Sequence, residues 1–262
     1  MTIKYRPREL EENVNVTPGK PLKEFFKLLA WIGGGLVVIY ILLGFVVQLI
    51  APHISPGVEK AMGGLFENAL CVEQQGQESQ KLQLIIDEFK PFLSKDDRRL
   101  DYRVCVTGDH RVNAIAVPGG TIVVFSGLLD KVDSRAEIAF VLAHELGHFH
   151  HRDHLKGLGR ALVALVVSVT ILGEDSPAAK FIFNSLGQVE MKFSRNQERA
   201  ADIFAVNLLK KCYGSADGAL AFMRKLARQE KRWKLFYYFS SHPHPGDRLE
   251  YMEKIIADSN VQ

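Results

Sequence analysis

Two histidines four residues apart, with a glutamate beside the first, stand out in this chain: His144-Glu145-Leu146-Gly147-His148. On a helix, positions i and i+4 share one face, so both imidazoles can converge on one metal ion. Glu145 lies beside that face and can accept a proton from an attacking water. This is the minimal equipment for zinc-dependent hydrolysis. The plain alternative is a surface helix that happens to carry two histidines and a glutamate. The flanks speak for a built helix. Ser134 and Glu137 have the capping-box spacing. Ile138, Ala139, Val141, Leu142, Leu146 and Phe149 follow at helical spacing.

Catalytic zinc keeps three protein ligands and leaves one position for water. The third must come from another element. Glu198 and Asp202, in Arg195-Asn196-Gln197-Glu198-Arg199-Ala200-Ala201-Asp202, share one helix face. Glu198 can bind metal while Asp202 accepts a hydrogen bond from a ligand imidazole and fixes its tautomer. Alone, the pair would read as a solvated acidic face balanced by Arg195 and Arg199. His150, His151 and His154 sit at or beyond the end of the motif helix, where histidines favour the macrodipole. They are read as structural.

The elements that must position these residues follow from periodicity. Residues 79–94 carry Leu82, Leu84, Ile85, Ile86, Phe89, Phe92 and Leu93 as an amphipathic helix with a break at Pro91. Between 101 and 125 the period changes to alternation, giving two or three strands with Pro118-Gly119-Gly120 as a turn. Later helices are expected over 195–211, stopped by Gly214, over 217–230, and from a capping-box pattern at Asp247-Arg248-Leu249-Glu250. The apolar run 161–172 is too short to span a bilayer. It is read as a buried helix, with a flap touching membrane or substrate as the alternative.

Residues 28–50 form a 23-residue run whose only strongly polar member is Gln48. That length spans a bilayer core, and no A-x-A cleavage site follows, so it reads as an uncleaved anchor. Lys20, Lys23 and Lys27, with Lys4, Arg6 and Arg8 further out, crowd its N-terminal side, against Lys60 on the other. The positive-inside rule then puts residues 1–27 in the cytoplasm and the bulk of the chain across the membrane. That space is the bacterial periplasm or its organellar equivalent. Pro52, Pro56, Gly57, Gly63 and Gly64 mark 51–66 as a linker, and residues 67–262 as the main domain. The net charge of +3 is small and spread out, so nucleic-acid binding is not indicated. Cys71, Cys105 and Cys212 are too few for a disulfide scaffold. One pair can bridge in an oxidising compartment, and the sequence does not choose which.

Taken in order, these motifs resemble the M48-family zinc metallopeptidases, a group of gluzincins. Asn113-Ala114 with Pro118-Gly119-Gly120 and Gly127-Leu128-Leu129 resembles the family's edge strand and turn. The His144–His148 motif resembles its metal helix, and Glu198-x-x-x-Asp202 its third-ligand helix. Ser241-His242-Pro243, with Arg248 beyond, resembles its late His-Pro loop. The resemblance implies an α+β fold, a mainly helical zincin-like domain with a small sheet, preceded by one transmembrane helix. It implies His144, His148 and Glu198 as ligands of one zinc, Glu145 as general base, Asp202 as orienter of a ligand histidine, and His242 and Arg248 near the metal. Asn113 and Ala114 would lie on the strand edge that pairs with substrate. The expected activity is endopeptidase cleavage of unfolded or misfolded polypeptides, as in protein quality control. The rival is a membrane-tethered chaperone or binding module in which His242 closes the zinc site.

Overall fold

In the computed structural model, residues 20–71, 76–173, 175–177, 180, 193–229, 242 and 245–258 are described. The helices are α1 (Pro21–Ile50), α2 (Pro56–Leu70), α3 (Gln77–Phe89), α4 (Ser126–Leu129), α5 (Arg135–His150), α6 (Asp153–Leu172), α7 (Arg195–Tyr213), α8 (Asp217–Gln229) and α9 (Pro245–Asp258). The strands are β1 (Arg103–Thr107), β2 (Ala114–Val117) and β3 (Thr121–Phe125). The fold is therefore mainly helical with a small sheet, as the sequence implied. By contacts the chain divides into two units, Met1–Leu42 and Leu43–Gln262.

The sheet has the order β1-β3-β2. β1 runs parallel to β3, and β2 antiparallel to it. β2 is thus an edge strand, and its far edge faces α5. Gly119 and Gly120 turn the chain between β2 and β3 with φ of 90° and 94°, a region that L side chains rarely adopt. Under the sheet, α5 is buried on every face from Glu137 to Phe149. A helix enclosed all round is apolar all round, and the motif residues, with Glu137 in the first turn, are its polar exceptions. The Ser134 side chain accepts from the Glu137 N–H and starts the helix as expected. Its Phe140, Leu142 and Phe149 share one buried core with Ile86 and Phe89 of α3 and Phe222 of α8.

Three sequence expectations change. The stretch read as a linker is mostly helix α2: Ser55 is its N-cap and Pro56 opens its first turn. Gly63 is a packing residue, since a Cβ there would lie 2.4 Å from the Pro118 carbonyl oxygen. The last helix begins at Pro245, so Asp247 falls in its first turn and is not its cap. The run 161–172 is the outer part of the longer helix α6, and none of its described residues is buried. The single N-terminal apolar helix is as expected, and Pro21–His53 is long and apolar enough to cross a membrane; Asp153–Ile171 also passes that test of length and composition, but its first residues are buried in the domain.

Among residues 20–50 no side chain is buried, and Trp31 is 81% exposed. A helix this apolar and this bare has the surface of a bilayer span. Cys71 and Cys105 form a disulfide that ties the end of α2 to β1 across a sequence separation of 34, and Cys212 is free. Closing a loop of that length stabilises by about 3–4 kcal/mol on chain-entropy grounds. Cys71→Ser should therefore lower the unfolding free energy by about 3 kcal/mol, read as a drop in urea midpoint.

Candidate metal centre

The α5 and α7 helices cross where neither has a bulky side chain. A Cβ on Gly147 would lie 2.8 Å from the Ala201 Cα and 2.9 Å from its carbonyl oxygen. Ala201 sits between Glu198 and Asp202 on α7, as Gly147 sits between His144 and His148 on α5. The close approach brings the two polar stripes together in the interior. His144, Glu145, His148, Glu198, Asp202 and His242 are each no more than 1% exposed.

Ligating atoms from His144, His148, Glu198 and His242 all lie within 4.8 Å of one another. The Nε2 atoms of His144 and His148 are 3.1 Å apart. Glu198 Oε2 is 3.6 Å from the first, and its Oε1 is 3.5 Å from the second. Donors in tetrahedral array about 2.0–2.1 Å from zinc are roughly 3.4 Å apart, so these separations match the edges of such a site. His242 Nδ1, 3.3 Å from His144 Nε2 and 3.0 Å from Glu198 Oε1, fits a fourth corner.

Donor chemistry gives a second test of fit. Two imidazoles and a carboxylate are the donor set that catalytic zinc takes, and all three are buried and converge on one point. The residues therefore fit the metal.

The opposite ring nitrogens are fixed by carboxylates. His144 Nδ1 is 2.9 Å from Asp202 Oδ1. His148 Nδ1 is 3.2 Å from Asp153 Oδ2. Such partners turn each Nε2 toward the centre. The Arg248 guanidinium holds both carboxylates of α7. Its Nε and Nη2 donate to Asp202 at 2.8 and 2.7 Å, and its Nη1 lies 2.7 Å from Glu198 Oε2. The Tyr251 hydroxyl also donates to Asp202. Arg248 is thus placed against carboxylates rather than aimed at a substrate. The Phe193 ring stacks on His148 at 3.8 Å between centroids.

The titration states follow. Burial pushes His144 down to about 4 against the pull of Asp202. His148 is held up at about 10: burial opposes the charge, but Asp153 and Glu198 outweigh it. Burial would raise Asp202, yet Arg248 and His144 bring it down to about 2. Glu198 lies well below the usual carboxylate range; burial works against this, and His242 and Arg248 overcome it. Burial raises Glu145.

Glu145 Oε2 is buried with no hydrogen-bond partner among the described residues, and the Ala116 N–H of β2 bonds to the same carboxylate. Ala114 opens β2, and the side chain of Asn113 just before it accepts the Ala114 N–H at 3.0 Å. The structure brings His144, Glu145, His148, Glu198, Asp202, His242 and Arg248 together, while Ala114 starts the strand whose Ala116 meets Glu145. Ser241 and Pro243 of the late motif lie outside the described residues.

Sequence reasoning missed Asp153, Phe193 and Tyr251. Asp153 lies five residues after His148 and reaches back because Arg152 adopts φ 56°, a left-handed turn that reverses the chain between α5 and α6. Gln197 Nε2 donates to its other oxygen at 2.8 Å. Asp153→Asn should raise the zinc dissociation constant about 10–100-fold, measured by competition with a zinc-binding dye.

Comparison with known proteins agrees with this geometry. The chain is 32% identical to "Metalloprotease YcaL" of Escherichia coli over 60% of this chain and 63% of that protein. It is 30% identical to "Mitochondrial metalloendopeptidase OMA1" of Arabidopsis thaliana, over 62% and 32% of the two chains. It is also 30% identical to "Metalloprotease LoiP" of Escherichia coli, over 61% and 64%. The matched region thus spans between about a third and just under two thirds of these relatives' lengths. The sequence model of peptidase family M48 matches residues 77–256. That span runs from α3 to α9 and takes in every residue of the metal centre, and the chain belongs to peptidase family M48.

Proposed function

We propose that this protein is a membrane-anchored zinc endopeptidase. Residues 1–27 form a cytoplasmic tail, 28–50 the anchor, and 67–262 a catalytic domain on the far side of the membrane. The observation that carries the reading is the tetrahedral spacing of His144 Nε2, His148 Nε2 and the Glu198 carboxylate beside the Glu145 oxygen that has no hydrogen-bond partner among the described residues. Bound zinc supplies a Lewis acid that acidifies water and polarises the peptide carbonyl. Glu145 takes the proton of the attacking water and passes it to the leaving amine. Asp202 and Asp153 hold the two imidazoles, and Arg248 holds Asp202 and Glu198.

Substrate runs extended along β2, whose Ala116 N–H already points to Glu145. Main-chain pairing selects accessible strands rather than side chains, which suits unfolded or misfolded proteins. The Cys71–Cys105 disulfide supports an oxidising compartment and hence the outward orientation. A second reading rests on His242. Its Nδ1 sits at the fourth corner, so in this conformation the site is latent, and binding of a polypeptide must displace it.

The test uses the full-length protein in liposomes, with zinc measured and unfolded casein as substrate. Cleavage should disappear on chelation with phenanthroline and return with added zinc. The metal-free protein should also melt at lower temperature, because zinc held by the folded state stabilises it by mass action. A zinc-loaded protein that leaves casein intact, even as His242→Ala, would sink the peptidase reading and leave the tethered binding module.

A further inference from the structure

We propose that the outer half of α6 is an interfacial membrane helix, lying in one leaflet of the bilayer that holds the anchor. The inference rests on the anchor reading above. α6 begins inside the metal centre, where Asp153 and His154 are buried. Residues 161–172 then leave the domain without one charged side chain. Their outward stripe is Leu162, Val166 and Thr170, with Ile171 beside it; Val166 is 60% exposed and Ile171 47%. A helix facing water carries charge at such positions. The polar member, Thr170, donates its hydroxyl to the Val166 carbonyl oxygen at 2.8 Å, as side chains in hydrocarbon must.

The occupant of this surface follows from what adjoins it. Gly159 is pressed against Val47, where a Cβ would come within 2.4 Å of the valine Cγ1. Val47 belongs to the last turns of the anchor helix, so the bare stripe starts where the anchor leaves the bilayer. Gln48, Lys156, Arg160 and Phe193 help to line a cavity of about 480 Å³ at this junction, which puts two cations at headgroup level.

Length decides between crossing and lying flat. Residues 161–172 cover about 18 Å, well short of a hydrocarbon core of about 30 Å. Both ends are charged, with Lys156 and Arg160 at one and the Asp175–Lys180 pair at the other. An oblique helix keeps both ends at headgroup depth and its stripe in the acyl chains. The metal centre is then held at the membrane surface, next to polypeptide segments as they emerge from the bilayer.

The test places an environment-sensitive fluorophore on single cysteines of the full chain. The background is Cys212→Ser, and the vesicles contain phosphatidylcholine and phosphatidylglycerol. Val166→Cys is the reporter, with Leu162→Cys as a second position. Ile39→Cys in the anchor and Asn207→Cys on an exposed face of α7 are controls. The expected result is that labels at 166 and 39 lose most of their emission to doxyl lipids and little to iodide, with the reverse at 207. If 39 reports lipid while 166 and 162 report water, or are shielded from both quenchers, the proposal is overturned and the anchor stands. If 39 also reports water, both readings fail.

Discussion

Glu145→Gln is expected to lower casein cleavage by about two to four orders of magnitude while zinc content stays unchanged. The side chain is 1% exposed and its Oε2 has no described partner. The amide keeps the shape and can still accept the Ala116 N–H, so the edge strand keeps its place. It cannot take a proton from water. Because Glu145 is not among the four clustered ligands, metal retention separates loss of chemistry from loss of the site. Equal cleavage by the variant would remove Glu145 from the mechanism.

Gly147→Ala is expected to destabilise the domain and to release zinc together. The added methyl meets the Ala201 backbone at 2.8 and 2.9 Å, and neither atom is the end of a flexible side chain. Helix α5 or α7 must shift, at a cost of about 1–3 kcal/mol. The shift falls between the two imidazoles and Glu198, because Gly147 and Ala201 are the contact between the helices that carry them. Thermal melting with and without zinc reads both effects. A variant that melts lower but binds zinc as tightly would show that this crossing does not set the ligand spacing.

How much was legible depended on how far along the chain the information lay. The motif helix was plain because cap, apolar spacing and ligands all fall within 134–149. The Glu198–Asp202 pair was readable because i and i+4 positions share a face on any helix. Asp153 was hidden because its role depends on the single left-handed residue Arg152, and no composition rule forecasts a positive φ at arginine. The segment 51–66 misled because Pro and Gly usually break helices. Here Pro56 occupies the one helical turn that tolerates it, and Gly63 lets α2 touch the turn after β2. The run 161–172 was read as buried because apolarity alone does not distinguish a core from a bilayer. Exposure in the fold excludes the core.

The reversal at Arg152–His154 has a mechanical consequence. Three consecutive residues grip three different places. Arg152 donates to the Ala51 and Ile54 carbonyl oxygens at 3.0 and 2.7 Å. Asp153 holds His148. His154 pairs with the fully buried Glu59 at 2.7 Å. A pull on residues 51–54 therefore reaches, through Arg152, the neighbour that orients His148. The stretch that follows α1 and the ligand helix share one joint, so strain at the first is felt in the aim of an imidazole at the second.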